Sequence, residues 1–283
     1  MHDLIDYELL DAGDERRLER FGERIVDRPA PAALGPRRDD EAWPRADLRF
    51  VRPDGWSGPA GLAPWSAAVA GLTLELRPTP TGQVGLFPEH TGNLGWLATQ
   101  AGTLLGAGAG PDGRPLVLNL FAYTGLATLA LARAGAAVVH VDSSRPTVAW
   151  ARRNAELSGL AEAPVRWIVD EVETFVAREV RRGRRYDGIV LDPPSYGHGA
   201  GGRPWQLEDQ LPDLLAACST LLGGGDGFCL LTAHTRGQSP ERLADLLATA
   251  LGRGWQDVDA RDMSLDAASG ARLALGAVAC VAS

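Results

Sequence analysis

The chain contains no lysine: all 28 basic side chains among its 283 residues are arginine. So complete a bias reads as the imprint of a GC-rich genome rather than as a functional device. Cysteine is nearly as scarce. Cys218, Cys229 and Cys280 are odd in number and far apart, which argues against a disulfide framework and against a zinc site. A reducing, cytoplasmic compartment is the simplest expectation. Long hydrophobic runs are missing too. Although 45% of the residues are apolar, no uninterrupted apolar stretch reaches the ~20 residues that span a bilayer. The first six residues, Met1-His2-Asp3-Leu4-Ile5-Asp6, lack the basic-then-apolar order of a secretory leader. There is no internal repeat. Net positive charge is also absent. The formal charge is −8, whereas nucleic-acid binders usually carry a basic footprint, because phosphate neutralisation supplies most non-specific affinity. RNA binding would therefore rest on a local patch, for which Arg181-Arg182-Gly183-Arg184-Arg185 is the best candidate. The same run reads as the basic end of a helix, which the macrodipole favours.

What is present is alternation. From Pro115 onward, apolar runs that read as strands (116–120, 137–141, 165–169, 188–191, 227–231) alternate with helical patterns (126–134, 146–158, 171–182, 207–222, 240–251). In the segment 171–182 the apolar residues Val172, Phe175, Val176 and Val180 recur at helical spacing. Gly223-Gly224-Gly225 ends the fourth of these helices. Two further strand candidates, 255–260 and 273–281, follow with no helix between them and predict an antiparallel hairpin at a sheet edge. Repeated βα units call for a parallel sheet. The expectation is an α/β, doubly wound, mostly parallel seven-stranded sheet. The first hundred residues are different, rich in Pro, Gly and Trp, with turn signals every few residues. They predict a small, irregular β-rich extension (1–105). It would carry extended connections at Arg28-Pro29-Ala30-Pro31 and Gly35-Pro36-Arg37-Arg38, and a hairpin of 71–77 with 83–87 around Pro78-Thr79-Pro80-Thr81-Gly82. A helix over about 92–105 and a glycine-rich linker at 106–113 would lead into the core domain, 114–283.

Two strand ends carry chemistry. In open α/β sheets ligands bind outside the carboxyl ends of the strands. The first strand ends in Asn119-Leu120-Phe121-Ala122-Tyr123-Thr124-Gly125. Gly125 permits close approach of a cofactor to the backbone, and Thr124 can cap the next helix. A complete Gly-x-Gly-x-x-Gly is lacking, which weakens a nicotinamide reading. Asp142, followed by Ser143-Ser144, ends the second strand, where an acid accepts hydrogen bonds from ribose hydroxyls. Asp170-Glu171 ends the third, where a carboxylate can accept from an adenine amino group. Singly, Asp142 reads as well as a helix N-cap, and Asp170-Glu171 as first-turn acids. Three acids at the ends of two consecutive strands favour a cofactor.

The fourth strand ends in Asp192-Pro193-Pro194-Ser195-Tyr196. Two prolines make a stiff loop that can hold a carboxylate and backbone carbonyls toward a substrate amine, and Tyr196 can stack on a planar base. The alternative is a rigid turn without chemistry. Gly197-His198-Gly199-Ala200-Gly201-Gly202 reads as a lid, with His198 either touching substrate or exposed.

The pair of motifs resembles the class I S-adenosylmethionine-dependent methyltransferases, and within them the branch that methylates large-subunit ribosomal RNA. The resemblance covers most of the chain. Gln83-Val84-Gly85-Leu86-Phe87-Pro88-Glu89-His90 with Asn93 is similar to a segment preceding the core in that branch. Tyr7-Glu8-Leu9-Leu10-Asp11 with Arg17-Leu18-Glu19-Arg20-Phe21-Gly22 looks like a variant of its N-terminal part. It implies S-adenosyl-L-methionine as cofactor, with Asn119, Phe121, Tyr123, Thr124, Gly125, Asp142, Ser143 and either Asp170 or Glu171 around it. It implies Asp192, Pro193, Pro194 and Tyr196 on the acceptor side, and no metal. The cytosine-C5 members place a nucleophilic cysteine after their fifth strand, because C5 must first be adducted. Here that stretch reads Leu230-Leu231-Thr232-Ala233-His234-Thr235-Arg236, without cysteine. A nitrogen acceptor in an RNA base is therefore expected, with His234 and Arg236 as substrate contacts or merely polar strand-end residues. A protein or small-molecule acceptor, or a cofactor-binding module without activity that serves as an RNA or assembly partner, are the alternatives, with a nicotinamide oxidoreductase far behind.

Overall fold

The computed structural model describes residues 6–59, 61–110, 112–198, 204–223, 227–235, 237–252 and 257–283. The chain divides into two compact units, 1–92 with 263–275, and 93–262 with 276–283.

The first unit is built on a five-stranded sheet in sequential order: β1 (Tyr7–Gly13), β2 (Arg16–Phe21), β3 (Arg24–Pro29), β4 (Leu48–Val51) and β5 (Gly55–Ser57). A separate hairpin joins β6 (Trp65–Val69) to β7 (Leu72–Leu76). The sequence reading pairs 71–77 with 83–87 instead, and the structure corrects it. Ala70 and Gly71 both take positive φ, 49° and 75°, the conformation of a two-residue hairpin turn. That turn pairs Leu72–Leu76 with the strand before it. Pro78–Gly82 forms a local loop instead, tied by Thr79 Oγ1 to the backbone N–H and carbonyl of Gln83. Arg28 and Pro29 likewise belong to β3 rather than to a connection. Pro29 lies beyond the β4 pairing, so its missing N–H costs nothing there. The unit buries charge. Arg28 donates twice to Glu19, at 2.6 and 3.1 Å, with both side chains fully buried, and Tyr7 Oη donates to Glu19 at 3.0 Å. Asp11 accepts from Trp43 Nε1, Ser269 Oγ and the backbone N–H groups of Arg38 and Asp39.

The second unit opens with α1 (Thr91–Gly106) and continues through β8 (Leu116–Leu120), α2 (Leu126–Arg133), β9 (Ala137–Asp142), α3 (Arg145–Leu157), β10 (Val165–Val169), α4 (Val172–Arg181) and β11 (Gly188–Leu191). A small hairpin, β12 (Tyr196–His198) with β13 (Pro204–Gln206), precedes α5 (Leu207–Leu221), β14 (Phe228–Ala233) and α6 (Pro240–Leu251). β15 (Asp259–Asp266) and β16 (Arg272–Ala282) end the chain. The seven-stranded sheet runs β10-β9-β8-β11-β14-β16-β15. β10, β9, β8, β11 and β14 are mutually parallel, and β16 is antiparallel to β14. This is the expected doubly wound sheet with its antiparallel finish, although the strand foreseen at 255–260 starts at Asp259. Residues 255 and 256 lie outside the described set. The parallel strands are covered on both faces, so β11 and β14 are buried throughout.

The strand order fixes the site. The chain steps outward from β8 to β9 and β10, then returns to place β11 on the other side of β8. The crevice of a doubly wound sheet opens at such a reversal. Register keeps the ends level: Leu120 pairs with Val141 and with Leu191, and Leu191 pairs with Leu231. The loops after β8, β9, β11 and β14 therefore leave one edge together.

Candidate active site

On the β8 side, the backbone does the shaping. Phe121, Tyr123 and Gly125 all have positive φ, 56°, 50° and 91°. Left-handed non-glycine residues cost about 1–3 kcal/mol each and collect at functional sites. A Cβ at Gly125 would sit 3.2 Å from Ala151 Cβ, so the loop closes tightly over α3. Asn154 Nδ2, buried on α3, donates to the Thr124 carbonyl at 2.9 Å. Asp142 accepts from the backbone N–H of Tyr123 and of Ser144, both at 2.9 Å. Burial pushes its carboxyl above the usual value, against the pull of those two N–H groups. An ionised carboxylate offers about four acceptor sites, so two remain for hydroxyl donors.

Glu171 and Asp170 part company. Asp170 is held by Arg178 Nη2 at 2.7 Å. Glu171 is the N-cap residue of α4 and lines a cavity of about 100 Å³ with Phe121, Asp142, Ser143, Pro194 and Trp205. Glu173 lines it as well, so the cavity has three acids at its rim, with apolar walls. Asn119 lies elsewhere. It is buried and donates to Thr128 Oγ1 at 2.8 Å, which lies 3.0 Å from His140 Nδ1. Its side chain thus belongs to a polar thread beneath the loop. His140 is fully buried against Trp167, 4.8 Å between ring centroids, and burial drops its pKa to about 3.

On the β11 side, side chains from elsewhere hold the loop. Asp192 Oδ1 accepts a short hydrogen bond from Thr232 Oγ1 and lies 3.3 Å from His234 Nε2. Thr235 Oγ1 donates to Ser195 Oγ at 2.7 Å. Trp205 Nε1 donates to the Pro194 carbonyl at 2.7 Å, and its ring packs on Phe121 at 5.4 Å. One lone pair of that carbonyl is thus already engaged. Pro193 is buried, Pro194 is exposed, and Tyr196 is 76% exposed at the head of the β12–β13 hairpin. Trp205 and Thr232 escape the sequence reading. A tryptophan two residues before a helix and a threonine within a strand carry no local signal of their role. The proposed lid, 197–202, begins inside β12 with Gly197 and His198; its residues 199–202, and Arg236, lie outside the described residues. The basic run begins with Arg181, the last residue of α4, and continues past it, where Arg182 pairs with Glu179 at 3.0 Å, at the end of the strands opposite the loops.

A family model described as S-adenosylmethionine-dependent methyltransferase matches residues 48–230. The chain belongs to that family. Its sheet is the class I methyltransferase fold. The crystal structure of the SAM-dependent methyltransferase from Agrobacterium tumefaciens matches with a TM-score of 0.90 at 33% identity, over 99% of this chain and 91% of that one. SMU.776 complexed with SAH matches with a TM-score of 0.76 at 16% identity, over 99% and 76%, a likeness of fold alone. Among curated relatives, Ribosomal RNA large subunit methyltransferase K of Neisseria meningitidis serogroup B is 40% identical over 82 residues, 29% of this chain and 23% of its own length. Ribosomal RNA large subunit methyltransferase K/L of Methylococcus capsulatus is 40% identical over 112 residues, 38% and 15%. The chain spans about a fifth of the length of these curated relatives.

S-adenosylmethionine, the cofactor of this methyltransferase family, fits what the β8 side offers. Its ribose hydroxyls and adenine amine are donors, and the cavity rim supplies acceptors in Asp142 and Glu171 between the apolar walls of Phe121 and Pro194. Gly125 serves the site by letting the loop close onto α3, since the space a Cβ would take faces Ala151 rather than the cavity. Among the described residues all three cysteines are buried. Desolvation raises every one of the thiols, to about 12 for Cys229 and about 11 for Cys280. Cys229 lies inside β14, so no thiolate stands ready for a C5 attack.

Proposed function

We propose that this methyltransferase modifies a nitrogen of an RNA base, with large-subunit ribosomal RNA as the preferred acceptor. The observation that carries the reading is the Asp192–Tyr196 loop. It lies beside the cofactor cradle at the sheet's reversal, with an anchored carboxylate at its root and an exposed aromatic ring at its head. The names of the curated relatives support the ribosomal substrate, and the inert thiols support nitrogen over carbon.

When bound, S-adenosylmethionine supplies an electrophilic methyl group on its sulfonium. The chain supplies placement. Asp142 accepts from the ribose hydroxyls. Glu171, rather than the arginine-held Asp170, accepts from the adenine amine. Asp192 and the Pro193 carbonyl accept from an N–H of the acceptor and turn its lone pair toward the cleft. Pro194 offers its ring as a wall, since Trp205 already holds its carbonyl. Tyr196 packs on the base, and Phe121 with Trp205 keeps water from the cavity. Orientation of this kind is worth up to about 7–11 kcal/mol of barrier in well-aligned reactions. The N-terminal unit serves as the region that recognises the acceptor.

Tritium transfer from labelled S-adenosylmethionine to unmodified, in vitro transcribed large-subunit ribosomal RNA tests the reading. Nucleoside mass spectrometry of a deletion strain against its parent would then name the modified base. Label in a protein or small-molecule fraction with none in RNA would favour the acceptor that the −8 charge suits better.

A further inference from the structure

β14 is buried along its whole length, and its six residues, Phe-Cys-Leu-Leu-Thr-Ala, include one hydroxyl. Thr232 is 1% exposed, on a strand between two others in the middle of the sheet. A buried hydroxyl costs free energy unless it is bonded, and valine would fill the same volume. The hydroxyl stands where register brings it beside Asp192, because Leu231 pairs with Leu191. It donates a short hydrogen bond to Asp192 Oδ1, and the Leu191 carbonyl lies 3.3 Å away.

Asp192 needs such a partner. Its side chain is 27% exposed, so packing alone does not choose its rotamer. Bonds from a neutral donor to an ionised carboxylate are among the stronger hydrogen bonds, and a β-branched side chain is stiff at χ1. His234 also reaches Oδ1, but at 3.3 Å and from a ring that is 29% exposed. It is the weaker hold.

We propose that Thr232 is a positioning residue for methyl transfer: its hydroxyl fixes the orientation in which Asp192 meets the acceptor. The proposal rests on the reading that Asp192 orients the acceptor nitrogen.

The test compares Thr232→Val, Thr232→Ser, Asp192→Ala and the double variant Asp192→Ala/Thr232→Val. The assay is tritium transfer to unmodified large-subunit ribosomal RNA, with calorimetry of S-adenosylhomocysteine binding alongside. Thr232→Val should lower kcat about 10-fold or more, toward the range for loss of a positioned group. It should leave KM for RNA within threefold and cofactor-product affinity within twofold. Thr232→Ser should recover kcat to within threefold of the parent. On the Asp192→Ala background, Thr232→Val should change kcat less than twofold, because residues acting through one contact are not additive. Crystal structures of the Thr232 variants should show the Asp192 carboxylate in more than one orientation with valine and in one with serine. Thr232→Ala serves if the valine variant does not fold. Parental kcat in Thr232→Val while Asp192→Ala is impaired would overturn the proposal. So would losses that multiply in the double variant, or an unchanged single Asp192 orientation with valine. Parental turnover in Asp192→Ala, or no transfer to RNA by the parent, would strike the underlying reading instead. The Asp192 orientation in the valine variant would still decide the role of Thr232.

Discussion

The loops after β8 and β11 leave neighbouring strands at one level, yet they are held by different means. The β8 loop is held through its backbone. Three left-handed residues shape it, Tyr123 N–H is bound by Asp142, and Thr124 carbonyl by Asn154. Those partners lie 19 and 30 residues on, in the next βα unit. The β11 loop is held at its side chains as well, by Thr232 on Asp192 and Thr235 on Ser195 from 40 residues away, in addition to Trp205 on the Pro194 backbone carbonyl. A backbone cradle suits a ligand that is always the same. On the proposed reading, the side chains that clamp the β11 loop can be exchanged one at a time, so acceptor preference can change without disturbing the cofactor side.

The sharpest break between the two sides is Asp192→Ala. Loss of a positioned acid or base typically costs about 10²–10⁴-fold in rate, and we expect that range in turnover, with cofactor affinity unchanged within a few-fold. Equal losses in both measurements would merge the two sides into one. Next comes acid. His140 supports the β8 side from beneath, and burial drops its pKa from 6.5 to about 3. Between those values the unfolded chain binds the extra proton, so this stability is complete above about pH 6.5 and is lost as pH falls toward 3. By linkage it amounts to about 3 kcal/mol between pH 7 and pH 4. Urea titrations should show that loss in the parent and not in His140→Asn.

Asp142→Ala should weaken binding of S-adenosylhomocysteine by about 1–3 kcal/mol, the scale for orphaning a partner group, and leave RNA affinity alone. Tyr196→Ala should do the reverse, weakening RNA binding by about 1–3 kcal/mol if the ring stacks on a base. Tyr196→Phe should have little effect, because stacking survives without the hydroxyl. Fluorescence anisotropy on the same variants checks both. The smallest effect is expected from the thiols. Alanine variants of Cys218, Cys229 and Cys280 should each transfer methyl within a few-fold of the parent, and alkylating reagents should leave the native protein unlabelled. A dead, folded cysteine variant would bring back a covalent mechanism.

The βα alternation, the mostly parallel seven-stranded sheet and the two loaded strand ends were all legible in the chain. Each depends on local periodicity: apolar runs of strand length, helical spacing such as Val172-Phe175-Val176, and turn residues between them. Resemblance of the same short motifs pointed to the family. The N-terminal strands were less legible. Tyr7–Pro29 mixes buried charges with apolar residues, and Glu19 and Arg28 hide their strand character by burying each other. The hairpin at Trp65–Leu76 turned on two left-handed residues that no alternation announces.

Within the site the same line divides the knowable from the rest. Acids at the ends of β9 and β10 could be placed by counting, since Asp142 is the last residue of β9 and Asp170 follows β10 directly. That Glu171 rather than Asp170 lines the cavity depended on Arg178 reaching back along α4 to Asp170. That Asn119 faces a buried thread, that Trp205 holds the Pro194 carbonyl, and that Thr232 grips Asp192 depended on which strands lie side by side. The sequence by itself determined which groups would stand at the strand ends. Only the tertiary structure decided which of them face the cavity and what holds them, because those contacts join residues up to 40 positions apart through strand order and register, which no local pattern encodes.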